Sequence, residues 1–198
     1  TVIAEDGSSQ DYKVIVIYAN NLYIESLDIK NASKWFGGDD RPDFIGRDVA
    51  TGQSFIFSEN FYIYTFSVKF THRFDYSATP EFKGHKVNII LDIRNKNGNI
   101  IISSNIIVPD SFNGGWVDFD LKDKNFLLKA NEKYIFTWFV ENAEYNYLVS
   151  GSSGNTGDLY KNGTGYSAQI YPGGNLKNWS EWYEHPWDFL FRISGQKN

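Results

Sequence analysis

A period of two governs the hydrophobic pattern along Tyr12-Lys13-Val14-Ile15-Val16-Ile17-Tyr18, Leu22-Tyr23-Ile24-Glu25-Ser26-Leu27-Asp28-Ile29 and Thr65-Phe66-Ser67-Val68-Lys69-Phe70-Thr71. Alternation of this kind turns one side of an extended segment toward a core and the other toward solvent, so each run is read as a strand. Further strands are predicted over 53–57, 87–93, 100–108, 115–121, 133–140, 145–149, 166–170 and 188–193. No window carries the period of about 3.6 residues that marks an amphipathic helix. Asp6-Gly7 and Asn97-Gly98 are pairs that tolerate positive φ, as tight hairpins require, and the second closes a hairpin over 87–107. Many short strands separated by turns predict an all-β fold, a two-sheet antiparallel β-sandwich.

Two polar turn formers, Asn20-Asn21, mark a candidate boundary. Residues 1–20 are then either the last hairpin of a preceding domain or an edge strand of the main sandwich, and 21–198 form the principal domain. The chain starts at Thr1 without an initiator Met, which suggests a piece of a longer polypeptide from which a signal peptide or lipoprotein anchor has been removed. Three long polar segments interrupt the strands: 31–43, 150–165 and 172–186. Loops of that length on a rigid sandwich are where binding residues are displayed.

Composition sharpens this picture in one respect. Aromatic residues reach 18%, with 6 Trp, 13 Tyr and 16 Phe, while Met and Cys are absent. Aromatic and β-branched side chains suit pleated sheets. The absence of Cys removes disulfides, thiolate metal sites and cysteine nucleophiles. A formal net charge of −5 without any Lys or Arg cluster lacks the electrostatic footprint of a phosphate-backbone binder, so nucleic acid is not an expected partner. Apolar runs are only a few residues long, which argues against membrane insertion.

Catalytic constellations are not evident. His72, His85 and His185 have no metal-site spacing, and Ser150-Gly151-Ser152-Ser153-Gly154 lacks the Gly-x-Ser-x-Gly elbow of a serine hydrolase. Glycoside cleavage needs two carboxyl groups facing across a cleft, for which Glu181 and Glu184, beside tryptophans, are the first candidates. The turn Gly37-Gly38-Asp39-Asp40-Arg41-Pro42-Asp43 offers oxygen ligands of the kind a hard cation takes, so Asp39, Asp40 and Asp43 are candidate ligands for a structural Ca²⁺.

The remaining signal is aromatic. A sugar ring has an apolar C–H face and a polar edge, so its site pairs a flat aromatic platform with hydrogen-bonding groups at the rim. Trp116 and Trp138 lie in strand patterns and are read as core. Trp35, Trp179, Trp182 and Tyr183 lie in polar segments that no strand pattern buries, and Tyr145 and Tyr147 share one face of a short strand. These six are the candidate ligand-binding residues; the competing reading is that they cap the ends of the sandwich.

Two family resemblances follow. Ala4-Glu5-Asp6-Gly7-Ser8-Ser9-Gln10-Asp11-Tyr12-Lys13-Val14-Ile15-Val16 resembles the closing hairpin of cadherin-like or immunoglobulin-like repeats of bacterial surface proteins. The rest, through Thr51-Gly52-Gln53-Ser54-Phe55, the 92–98 hairpin, Gly115-Trp116-Val117-Asp118-Phe119, the 127–134 segment with Lys133-Tyr134 opening a strand, and Asp188-Phe189-Leu190-Phe191-Arg192-Ile193, resembles β-jelly-roll modules appended to secreted bacterial polysaccharide-degrading enzymes and surface lipoproteins. The resemblance implies a non-catalytic carbohydrate-binding module, secreted or at the cell surface, often with a structural calcium, whose partners are a polysaccharide or glycan and the neighbouring domains of a longer chain. The alternative is a structural or adhesive surface module that contacts protein.

Overall fold

The computed structural model describes residues 12–19, 22–29, 33–35, 48–75, 86–109, 111–140, 146–153, 158–170 and 182–198. Fourteen strands account for most of them: β1 (Tyr12–Ala19), β2 (Leu22–Ile29), β3 (Ser33–Trp35), β4 (Asp48–Ile56), β5 (Phe61–Asp75), β6 (Val87–Asn95), β7 (Ile100–Val108), β8 (Gly115–Asp120), β9 (Leu127–Leu128), β10 (Lys133–Val140), β11 (Asn146–Ser152), β12 (Gly165–Ile170), β13 (Tyr183–His185) and β14 (Phe191–Lys197). They form two antiparallel sheets. One runs β1-β2-β14-β5-β11-β3, with β8 and β9 also paired to β5; the other runs β13-β12-β4-β10-β6-β7. The all-β, two-sheet antiparallel expectation therefore holds. A single 3-10 turn, Lys122–Lys124, is the helical element among the described residues, and no described helix is long and apolar enough to cross a membrane.

β1 lies at the outer edge of the larger sheet, in register with β2 from Tyr12↔Ile29 to Ala19↔Leu22. The Asp6-Gly7 turn predicted before it falls outside the described residues. The predicted hairpin at Asn97-Gly98 is present, joining β6 to β7. Gly98 takes φ 80°, and the Asn95 side-chain oxygen accepts hydrogen bonds from the Asn97 and Asn99 amides at 2.9 and 3.1 Å. Left-handed φ is nearly free for glycine alone, which fixes the turn at this dipeptide.

Aromatic rings knit the sheets together. Phe55 of β4 has ring-centroid contacts with Phe66 of β5 at 6.1 Å and Phe191 of β14 at 4.7 Å across the sandwich, and with Phe136 of β10 at 5.0 Å within its own sheet. Trp138 is buried against Phe66 and Phe189, and its indole N–H donates to Ser150 Oγ at 3.1 Å. Its predicted place in the core is the observed one. Trp116 is half-buried, packs on the rim of the core and holds the Arg192 guanidinium 3.8 Å from its ring centroid.

One core position is acidic. Glu25 projects from β2 between Tyr23 and Leu27, is 4% exposed and accepts a hydrogen bond from Tyr23 Oη. Burial pushes its carboxyl above the ordinary 4.5, with the tyrosine hydroxyls opposing that shift. A group whose folded pKa exceeds its unfolded one stabilises fully below the unfolded pKa and progressively less as pH rises through the folded pKa. Glu25→Gln, which never ionises, is therefore expected to gain stability over the parent as pH rises above the ordinary carboxylate range, and to match it in acid below that range. Urea unfolding at a series of pH values measures this; identical slopes for the two proteins would show that Glu25 does not set the dependence.

Candidate functional site

Leu91, Ile93, Phe136 and Trp138 fill the core from β6 and β10, so their neighbours Asp92, Arg94, Ile135 and Thr137 stand on the opposite face of the six-stranded sheet. A sheet face directed away from the core is ordinarily wet. Here Arg94 is only 1% exposed, and Asp92, Ile135 and Thr137 are also buried. Arg94 spends its donors on three acceptors: Nε to Thr137 Oγ1 at 3.1 Å, Nη1 to the Gly98 carbonyl at 3.0 Å and Nη2 to Asp92 Oδ2 at 2.9 Å. Ser103 Oγ of β7 donates to the other Asp92 oxygen. Burial lowers the Arg94 pKa and the adjacent Asp92 carboxylate opposes it. The Trp182 ring covers this ion pair, its centroid 5.9 Å from the guanidinium carbon, an arrangement that favours a desolvated cation.

A second polar group lies along the same face. Antiparallel register sets Glu184 of β13 opposite Tyr166 of β12. Tyr166 Oη donates to Glu184 Oε1 at 2.5 Å and accepts from Lys133 Nζ of β10 at 2.8 Å, while Lys133 and Glu184 are 3.8 Å apart. Burial, then the Glu184 carboxylate, raises the Tyr166 pKa well above its ordinary 10, so it remains a phenol. Next to Glu184, Tyr183 is 67% exposed, the most exposed of the large hydrophobic side chains described. On the other side of Glu184, His185 stacks on Trp187 with centroids 4.0 Å apart and planes 7° from parallel, and its Nε2 lies 2.7 Å from Ser167 Oγ. Burial lowers its pKa, which favours the neutral ring.

The edge strand β13 thus offers an exposed phenol ring on one side and, on the other, a half-buried indole with a carboxylate and an ammonium joined through the buried Tyr166 hydroxyl. That combination can hold a ring with an apolar face and a hydroxylated rim. No protein-family model matches the chain, and no curated protein matches it.

Of the six aromatic residues singled out by sequence, Trp182 lies on this face beside Arg94, and Tyr183, the next residue, stands with His185 on the opposite side of the edge strand β13. Trp35 lies in β3 and Tyr147 in β11, neighbouring strands of the eight-stranded sheet. Trp179 and Tyr145 lie outside the described residues, as do Asp39, Asp40, Asp43 and Glu181. Among the described residues, no group of three or more His, Cys, Asp or Glu side chains could hold a metal ion. Sequence reading passed over Asp92, Arg94, Lys133 and Tyr166. A signal was present in Leu91-Asp92-Ile93-Arg94, where opposite charges two apart share one face of an otherwise apolar strand.

Proposed function

We propose that this chain is a non-catalytic, jelly-roll carbohydrate-binding module of a secreted or cell-surface protein, which takes polysaccharide on the β12–β13 side of the six-stranded sheet. The observation that carries the reading is the edge strand β13, which exposes the Tyr183 ring on one side and, on the other, presents Glu184 of the Lys133–Tyr166–Glu184 cluster. Tyr183 supplies the apolar platform, and the cluster supplies donors and acceptors for ring hydroxyls. Glu184 is engaged by both Tyr166 and Lys133, which suits a binding role better than that of a proton donor. Titrating a panel of soluble polysaccharides while following tryptophan fluorescence and heat tests the reading. A saturable signal is expected, weakened roughly three- to tenfold in Tyr183→Ala, in line with the worth of an aromatic contact. Silence across plant, algal and host glycans would dismiss it.

A protein-contacting module is the second reading, favoured by one feature. β7 ends its sheet and exposes Ile100, Ile101 and Ile107, an apolar edge of the kind another chain can pair with. Concentration-dependent self-association or capture of a neighbouring domain, abolished by Ile107→Lys, would support that role over glycan binding.

A further inference from the structure

At one end of the sandwich, where β4 runs out and the β6–β7 turn meets the start of β10, there is an open cleft of about 600 Å³. This volume suits a small ligand or a short stretch of a polymer, for which sites measure about 300–1,000 Å³. Ile56 and Ile101, 42% and 41% exposed, and the half-buried Phe126 give it an apolar lining. Around them stand Lys96, Lys129 and Lys133, against a single acid, Glu132, so the lining carries three positive charges less one negative, a net +2. The whole chain carries −5. The cleft is therefore a local reversal of sign.

Two of the three lysines are at liberty to meet a ligand. Lys96 is exposed and makes no ion pair among the described residues. Lys129 faces Glu132 at 3.8 Å with both side chains more than half exposed, a pairing that contributes little and re-forms easily. Lys133 is held by Tyr166 Oη and so ties the cleft to the Tyr166–Glu184 pair at the β13 edge. Apolar lining and uncommitted ammonium groups together match a sugar ring that bears a negative substituent.

We propose that this cleft binds the acidic units of a glycan, seating a uronate ring on Ile56 and Ile101 with its carboxylate between Lys96 and Lys129. The inference builds on the reading of the β13 edge, with Tyr183, as a glycan site and names the substrate class, a polysaccharide containing uronic acid that continues from that edge past Glu184 and Lys133 into the cleft.

Calorimetric titration with a uronic-acid hexasaccharide, with the same oligosaccharide after carboxyl reduction, and with a sulfated neutral oligosaccharide provides the test. Uronate binding should weaken as salt rises, and the reduced ligand should bind about tenfold less tightly, as should the uronate in Lys96→Ala/Lys129→Ala. The double variant should retain neutral glycan. Equal affinity for the reduced ligand, undiminished uronate binding in the double variant, or stronger lysine-dependent binding of the sulfated sugar would overturn the assignment. Neutral-glycan binding lost in Tyr183→Ala without any uronate preference would remove the cleft and leave the Tyr183 face. Uronate binding that needs the lysines but is indifferent to Tyr183 would do the opposite.

Discussion

Arg94→Ala is expected to destabilise the fold by about 3–5 kcal/mol, the usual cost of removing one partner from a buried ion pair. The loss comes from what remains: the Asp92 carboxylate would keep only Ser103 as a donor, while Thr137 Oγ1 and the Gly98 carbonyl would lose theirs. For a chain of this length that corresponds to a fall in Tm of roughly 10 °C. Arg94→Lys should recover little, because one ammonium cannot reach three acceptors fixed by a planar fork. Asp92→Leu/Arg94→Leu should recover much of the loss, since an apolar pair leaves no stranded charge. Guanidinium unfolding of the three variants separates the possibilities. An Arg94→Ala protein within about 1 kcal/mol of the parent would mean that water reaches Asp92 and that the face is wet.

That network also explains why this side of the molecule was hard to foresee. The period of two correctly located β1 and β2, and the strands expected over 87–93, 100–108, 115–121 and 133–140 are β6, β7, β8 and β10, which send alternate residues into one core. It carries no information about whether the outward residues are then covered, and in β6 residues 91–94 are buried on both faces. β5 was predicted only over 65–71 yet spans Phe61–Asp75. Ile63 and Phe66 both face the core at a spacing of three, and the register with β14 shifts between Ser194 and Gly195. A bulge of this sort inverts the parity and hides the continuation from a strict alternation test.

β3 and β13 fall inside segments expected to be loops, and β9 was not expected at all. Three or two residues cannot display a period. Their extended form comes from partners remote in sequence: β13 pairs with β12, and β3 with β11. The aromatic excess was legible as a property of a β protein but not as a map of sites. Most of the described rings are inside, among them Phe55, Phe57, Phe61, Phe66, Phe136 and Phe191. Trp182 and Tyr183 were separable from these by their polar surroundings. The lysine-lined cleft was invisible because Lys96, in the β6–β7 turn, and Lys129 and Lys133, either side of the turn into β10, are brought together only by the sandwich.

Asp188 carries the second large effect. It is fully buried and sits at the close of the segment that follows β13. Phe189 N–H donates to Gln53 Oε1 at 2.9 Å, which turns Gln53 Nε2 toward Asp188 Oδ1, also at 2.9 Å. The amides of Leu159 and Tyr160 both donate to Asp188 Oδ2 at 2.8 Å. Burial pushes the carboxyl above its ordinary value, and these donors oppose the shift. Asp188→Ala takes the acceptor from the buried Tyr160 amide and the part-buried Leu159 amide and leaves Gln53 Nε2 only the Ser54 carbonyl at 3.4 Å, so a loss of about 3 kcal/mol is expected, at about 1–3 kcal/mol for each donor left unpaired. Asp188→Asn is the sharper test, because its amide nitrogen must confront either Gln53 Nε2 or the two backbone N–H groups. Gln53 cannot turn over to accommodate it without surrendering the Phe189 bond. The isosteric variant should therefore lose about 1–3 kcal/mol despite its unchanged shape. Since Trp187 O accepts from Gly165 N at 3.0 Å, the same anchor holds the chain after β13 against β12, and glycan affinity at Tyr183 should fall in Asp188→Asn even under conditions where the protein remains folded. Parental stability in Asp188→Asn would show that the donors find water instead, and that the position of β13 is secured by its pairing with β12 alone.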